Sequence, residues 1–600
     1  MIERYRKFKR QSNWRNQNEI FPDEVFIDSR NLPEFDKERF EGQLERPISR
    51  GALYSTVLIF TIIIIVFSFK LWFLQIKNGE AYALQSENNR LHHEVVFSER
   101  GIIIDRNGVE LAWNTPKENS AYPDRKYIEK NGFSHVLGYV SYPKKDSAGF
   151  YYQDYFDGKE GVEALYDTEL SGKNGLKLTE TNAKGEIESE STIEPPKRGE
   201  KLILSIDGRI QEELYKQIRN LALKVGFSGG AGVIMNIATG EIIALSSYPE
   251  YSSQYLSNGK EEEIKKYSED SRKPFLNRVI SGVYTPGSII KPYLALGALS
   301  ENIIDPNKKI LSTGKIEIVN PYNDKEKSVF VDWKAHGLVD MRKAIAVSSN
   351  VYFYEIGGGF EDQKGLGITN IEKYMRMFGF GNLTGLELGN EKEGTIPNPI
   401  WKADNFNGDD WRLGDTYHTS IGQYGLQVTP MQVVRAVSAI ANDGHLLIPT
   451  LLSASSTLFE KRKETILPIS PSYFQVVREG MRQGVNGGGT AYGLNISEVK
   501  IAAKTGTAEI GTLKQYVNSW STGFFPYENP KYSFAILMER GPRTNTLGAT
   551  LVMRGLVDYM NKETPEYFGK EAKQQKEEKE INPSDVGGVT ETDVPELLPQ

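Results

Sequence analysis

The chain contains no cysteine in its 600 residues. That excludes disulfide staples, thiolate metal sites and a cysteine nucleophile, and it leaves the compartment open. Histidine is nearly as scarce. His92, His93, His135, His336, His418 and His445 are the whole set, and none belongs to an HExxH or other spaced ligand pair. Each reads as a surface or core residue, so neither a metal nor a cofactor is expected. No long basic run occurs and the net charge is -7, which argues against nucleic acid as a partner. The hydrophobic fraction of 39% and charged fraction of 25% are those of folded protein, and the length leaves room for more than one domain.

What the chain does have is one uninterrupted apolar run. From Gly51 to Phe69 there is no charge, and the sequence stays apolar through Ile76 apart from Lys70. A single membrane-spanning helix is predicted over 51–76, with Trp72 suited to an interface. A buried core helix would show an amphipathic pattern, whereas Thr61-Ile-Ile-Ile-Ile-Val-Phe-Ser is apolar all round. Ala81-Tyr-Ala83 resembles a signal cleavage site, but the fifty-residue lead favours an uncleaved anchor. Basic residues between Arg4 and Arg10, with Arg46 and Arg50, favour an internal amino terminus; Lys70 and Lys77 dilute that preference.

Chemistry first shows at Ser288-Ile-Ile-Lys291, inside Thr-Pro-Gly-Ser-Ile-Ile-Lys-Pro. Positions three apart share a helix face, so a hydroxyl stands beside an amine, an arrangement that makes serine nucleophilic without histidine. Pro286 and Gly287 supply a turn into the helix, and Pro292 is tolerable only in a first helical turn. Such an entrance favours a developing oxyanion. Ser-x-x-Lys recurs at Ser141, Ser257, Ser312 and Ser497, where proline, glycine or a strand-like continuation spoils the helix. Ser348-Ser-Asn350 and Lys504-Thr-Gly-Thr507 follow in order. Ser-x-Asn alone also occurs at Ser29, Ser86 and Ser300, so the ordered set carries the weight. The alternative reading of each piece is structural: a helix cap with a solvated lysine, a helix end and a strand-turn.

Ser-x-x-Lys, Ser-x-Asn and Lys-Thr-Gly in that order resemble the penicillin-interacting serine enzymes. Arg100-Gly-Ile-Ile-Ile-Asp-Arg-Asn-Gly108, Gly161-Val-Glu-Ala-Leu-Tyr, Leu170-Ser-Gly-Lys-Asn-Gly175, Gly422-Gln-Tyr-Gly-Leu-Gln-Val-Thr-Pro430 and Gly489-Thr-Ala491 narrow the resemblance to a class B penicillin-binding protein. The penicillin-binding protein 2 type that serves elongation is the nearest fit, over about residues 50 to 565. A type I′ turn at Asn107-Gly108 explains much of the first of these segments as architecture. Ile289-Ile290 and Ala503 depart from the family pattern, and both keep its apolar character.

The resemblance implies an α+β chain, namely a transmembrane helix, an extended β-rich pedestal and a β-lactamase-like penicillin-recognising serine transpeptidase domain. It also implies a peptidoglycan D,D-transpeptidase outside the cytoplasmic membrane. Ser288 would form the acyl-enzyme, with Lys291 as base, Lys504 in its electrostatic field, Ser348 as proton relay and Asn350 as orienting group. Thr505 and Thr507 would face a substrate carboxylate, with Gly506 permitting close approach of the substrate backbone. The amides of Ser288 and Thr507 would form the oxyanion hole. Stem peptides, β-lactams as covalent inhibitors, a membrane-embedded glycan polymerase and an elongation scaffold are the implied partners. The alternatives are a septal class B transpeptidase, a D,D-carboxypeptidase or β-lactamase, and a penicillin sensor.

Along the chain, residues 1–50 are predicted to be a cytoplasmic arm with little fixed structure, and 566–600 a disordered tail. Short strand-like runs and turns, including Ala183-Lys-Gly185, place the pedestal at 77–195. Pro195-Pro196 opens the transpeptidase domain at 196–565. There a helical pattern at Arg209–Val225 and a hairpin at 231–246 precede a middle expected to be mostly helical. Strands return near Ile501, so one antiparallel sheet built from distant segments is predicted, flanked by helices.

Overall fold

The computed structural model describes residues 50–570, apart from residues 81, 83–90, 119, 148, 150, 182–186, 321–322, 461–463 and 512. The arm before Arg50, Ala81 and Ala83, the turn at Ala183-Lys-Gly185 and the tail beyond Lys570 lie outside the described residues. In the unit ending at Leu91, the helix Arg50–Trp72 continues as a π turn over Phe73–Lys77. It is long and apolar enough to cross a membrane, with a mean hydropathy of 2.6, and buries none of its residues against protein.

In the unit from His92 onward, Leu202–Ile203, Ile103–Ile104, Glu110–Thr115 and Asp124–Tyr127 lie side by side in that order in a four-stranded sheet. Leu202–Ile203 runs parallel to Ile103–Ile104, so chain beyond Pro195-Pro196 completes this sheet before the catalytic segments begin. The turn expected to be type I′ is different. That type needs positive φ at both central residues, and here only Gly108 takes it, at 85°. Asp105 holds the turn instead, its carboxylate accepting from the amides of Asn107 and Val109.

Arg100 and Arg125 are buried with Glu163 between them, at 2.6 Å and 2.8 Å. Burial alone would raise the Glu163 carboxyl, but Arg125 and Arg100 hold it below the usual carboxylate range. Removing one member of such a cluster leaves buried charge uncompensated. Glu163→Ala is therefore expected to destabilise this part of the chain by about 3–5 kcal/mol in urea unfolding, with no change in the catalytic residues.

The second half is organised around five strands: β1 (Gly229–Asn236), β2 (Ile242–Tyr248), β3 (Ala502–Ile510), β4 (Tyr516–Phe525) and β5 (Tyr532–Pro542). Their order is β2-β1-β5-β4-β3, and every neighbouring pair is antiparallel. Alternate residues serve two separate cores. Val233, Met235, Ala535 and Leu537 join one; Ile234, Phe534, Ile536 and Met538 join the other. Both faces are covered, which is why these strands read as continuous apolar runs rather than alternating ones. The helices Gly208–Val225 and Ala549–Glu563 pack on one face, and Pro430–Ala441 packs on the other.

The middle is less helical than expected. It contains a hairpin of Lys315–Asn320 and Asn323–Val331, which the mixed charges of the segment disguise. Structure also continues past 565. Pro565–Phe568 forms a 3-10 turn, and the buried Tyr567 donates to Asp207 at 3.0 Å.

Candidate active site

Ser288 lies on a 3-10 turn, Gly287–Ile290, that runs directly into the helix Lys291–Ser300. Side chains three apart eclipse in a 3-10 turn, which sets Ser288 and Lys291 on one side of the chain. Pro292 sits in the first turn, where its missing donor has no intrahelical role. Gly287 has φ 58°, and a Cβ there would meet the Thr507 carbonyl oxygen at 2.9 Å. Only glycine fits both the backbone and the space. The turn is held from behind: the Gly287 amide donates to the Gly422 carbonyl, and Trp520 Nε1 donates to the Thr285 carbonyl at 3.0 Å.

Lys291 is fully buried. Its Nζ donates to the Ser348 carbonyl at 2.8 Å and to Asn350 Oδ1 at 2.7 Å, with Ser349 O at 3.3 Å and Ser348 Oγ at 3.4 Å. Ser348 ends the helix Met341–Val347 in the left-handed conformation, φ 57°. That backbone state is rare for a residue with a side chain, and it turns the chain so that the next helix, Asn350–Gly358, starts at once.

Lys504 arrives from the edge strand β3. It is also buried, and its Nζ donates to Ser348 Oγ at 2.8 Å and to the Thr505 carbonyl at 2.8 Å. The hydroxyl of Ser348 therefore lies between two lysine amines drawn from segments 213 residues apart in sequence (504 minus 291). Thr505, Gly506 and Thr507 line, with Ser288, Ser348 and Asn350, a cavity of about 1170 Å³. The close approach at Gly506 has an internal cause in addition to any substrate. A Cβ there would fall 2.7 Å from the Pro286 carbonyl oxygen and 2.9 Å from Ile289 Cγ2. Ile289 and Ile290 are buried and serve packing.

Burial pushes Lys291 down to about 7, partly opposed by the negative charge of Asp332. Burial and the nearby Lys291 amine hold Lys504 well below its ordinary range. The consequence for chemistry is that a substantial fraction of Lys291 is neutral near pH 7, as a base requires. If it is the base, the acylation rate by a β-lactam is expected to rise about tenfold per pH unit below pH 7 and to level off above it, read by stopped-flow fluorescence.

Two further residues in this region carry no role assigned from the sequence. Thr490 lines the cavity, and Thr505 Oγ1 donates to its hydroxyl at 2.6 Å. Asp332, just past the hairpin, accepts from Ser349 and Asn350. Thr490 belongs to the quoted segment Gly489-Thr-Ala491 but had no role assigned to it, and Asp332 was not singled out, because its relation to the motifs is spatial. Among the described residues, no group of three or more His, Asp or Glu side chains is arranged to hold a metal ion.

Comparison with known proteins accords with this geometry. Residues 230–552 match the penicillin binding protein transpeptidase domain, and residues 118–204 the penicillin-binding protein dimerisation domain. The chain belongs to the class B penicillin-binding proteins. The peptidoglycan D,D-transpeptidase MrdA of Salmonella typhimurium is 30% identical over 481 residues, 74% of this chain and 73% of that one. The structure of the Helicobacter pylori PBP2–MreC complex aligns with a TM-score of 0.66 at 29% identity, covering 78% of this chain and 98% of that one. Pseudomonas aeruginosa PBP2 in complex with WCK 5153 aligns at 0.64 and 28%, over 78% and 96%. These likenesses put this class B protein in the penicillin-binding protein 2 type.

Proposed function

We propose that the chain is a peptidoglycan D,D-transpeptidase of cell-wall elongation, with Ser288 as nucleophile and Lys291 as base. The observation that carries this is the meeting of Lys291 and Lys504 at Ser348 Oγ, beside a cavity that Ser288 enters. Ser288 Oγ attacks the carbonyl of the penultimate D-alanine of a stem peptide, and its proton passes to Lys291 Nζ. The tetrahedral oxyanion is held by the amides of Ser288 and Thr507. Its collapse breaks the peptide bond, and the departing D-alanine amine takes a proton through Ser348. Asn350 orients Lys291 and the substrate amide, while Thr505 and Thr507, separated by Gly506, face the substrate carboxylate. An acceptor amine then attacks the ester carbonyl; the bond to Ser288 Oγ breaks, the amine's proton returns to that oxygen through Lys291, and the new amide is the cross-link.

The same reading assigns residues 77–195 to the pedestal and 196–565 to the transpeptidase domain, with the amino terminus inside and the catalytic domain outside the cytoplasmic membrane. The apolar helix and the basic residues before it support that orientation. A scaffold of the MreC kind and a membrane-embedded glycan polymerase are its partners in elongation. The MreC-bound relative supports the first, and the second stands by analogy with the family.

The deciding experiment supplies the full chain in detergent with uncross-linked glycan strands carrying pentapeptide stems and analyses the digest by mass spectrometry. Joined stem peptides are expected. Release of D-alanine without joined stems would indicate a carboxypeptidase and overturn the assignment.

A further inference from the structure

The second strand of that hairpin, Asn323–Val331, ends immediately before Asp332, whose side chain is fully shielded from solvent. One oxygen of this carboxylate, Oδ2, gathers the start of the helix Asn350–Gly358. It accepts from the Asn350 amide at 2.7 Å, the Val351 amide at 3.0 Å and Ser349 Oγ at 2.9 Å. Ser312 Oγ stands at 3.4 Å from it and at 3.0 Å from Ser349 Oγ. The other oxygen accepts from the Trp333 amide at 2.8 Å and lies 3.7 Å from His336 Nε2. The first amides of a helix have no intrahelical acceptor, and a buried carboxylate there is favoured by both hydrogen bonding and the helix dipole.

This matters because of what the helix start carries. Ser348, in the left-handed state, and Asn350 flank the anchored Ser349, and both contact Lys291. A residue in an uncommon backbone state persists only where its surroundings over-determine it. Asp332 supplies that constraint from a separate element. We propose that Asp332 is a positioning residue for acylation: its buried carboxylate fixes Ser348 and Asn350 against Lys291.

The proposal rests on Lys291 being the base. The groups facing the pair are His336, Lys334 and Tyr354 around Asp332, with Lys504 across Ser348 from Lys291. Burial holds His336 below its ordinary range. The negative charge of Asp332 raises the lysine. Removing it lowers Lys291 further and makes the neutral amine available at lower pH.

The test compares the full chain in detergent with Asp332→Asn, Asp332→Ala and Ser288→Ala, using a fluorescent penicillin. Acylation rate constants are separated from initial binding and followed across pH. Asp332→Asn is expected to slow acylation by about tenfold at its plateau, with binding little changed and the acid limb moved to lower pH. Asp332→Ala is expected to lose about a hundredfold. If the alanine variant fails to fold, the asparagine variant decides alone. Both variants acylating within twofold of wild type with an unmoved limb would overturn the proposal, and so would a slower rate with an unmoved limb, which makes Asp332 a structural support only. Labelling that survives Ser288→Ala instead overturns the underlying reading of the site, and so separates the two failures.

Discussion

Replacing Ser288 with alanine is expected to abolish covalent labelling by penicillin and to lower stem-peptide cross-linking by about 10⁴-fold or more. The Ser288 turn is held by Gly422, Trp520 and the strand β3, none of which depends on the serine hydroxyl. The variant should therefore fold, melt within about 1 kcal/mol of wild type and still bind β-lactam reversibly. Loss of the covalent adduct with unfolding unchanged identifies a nucleophile. Labelling at the wild-type rate would remove Ser288 from the mechanism.

The second large effect concerns Lys291. Lys291→Met keeps an unbranched chain of similar length and removes the amine, and about a 10³-fold fall in acylation is expected. Arginine should not rescue it, because a guanidinium stays charged and cannot take the serine proton. Stability moves the other way. In the unfolded chain this lysine holds its proton up to about 10.5, whereas the folded protein releases it near 7. Between those values the unfolded state binds more protons, so stability of the wild type rises with pH across that window. Below pH 7 the folded protein bears the full cost of a buried ammonium. Lys291→Met removes that cost and should be at least as stable as wild type at pH 6, with a flatter rise between pH 7 and 10.5. Equal loss of activity and of stability would mean that Lys291 holds the fold together and is no base.

Legibility in the sequence followed the range of the interaction. The apolar helix, the helix Gly208–Val225 and the hairpin of β1 and β2 depend on neighbours within a few residues, and their periodicity was readable. The hairpin at Lys315–Val331 was not, because its alternation is diluted by surface charge and its apolar residues Ile316 and Phe330 pack on the distant Val351, Tyr354 and Tyr417. Asp332 stayed hidden for a related reason. An aspartate is a surface residue by default, and only the arrival of the Ser348 segment buries it. The turn at Asp105 went wrong where Asn-Gly suggested mirror-image geometry, and a side-chain acceptor two residues earlier supplied another solution.

By itself the sequence determined the chemistry available: a serine and a lysine one turn apart, a second lysine on a strand, no thiol and one apolar span. Those are local facts, set by residue type and spacing. Tertiary structure alone decided the distances among groups 57 to 216 residues apart, counted from Lys291 to Ser348 and from Ser288 to Lys504, and the removal of both amines from water. Proton affinity depends on burial and on neighbouring charge, and neither exists until the chain has folded around the two lysines.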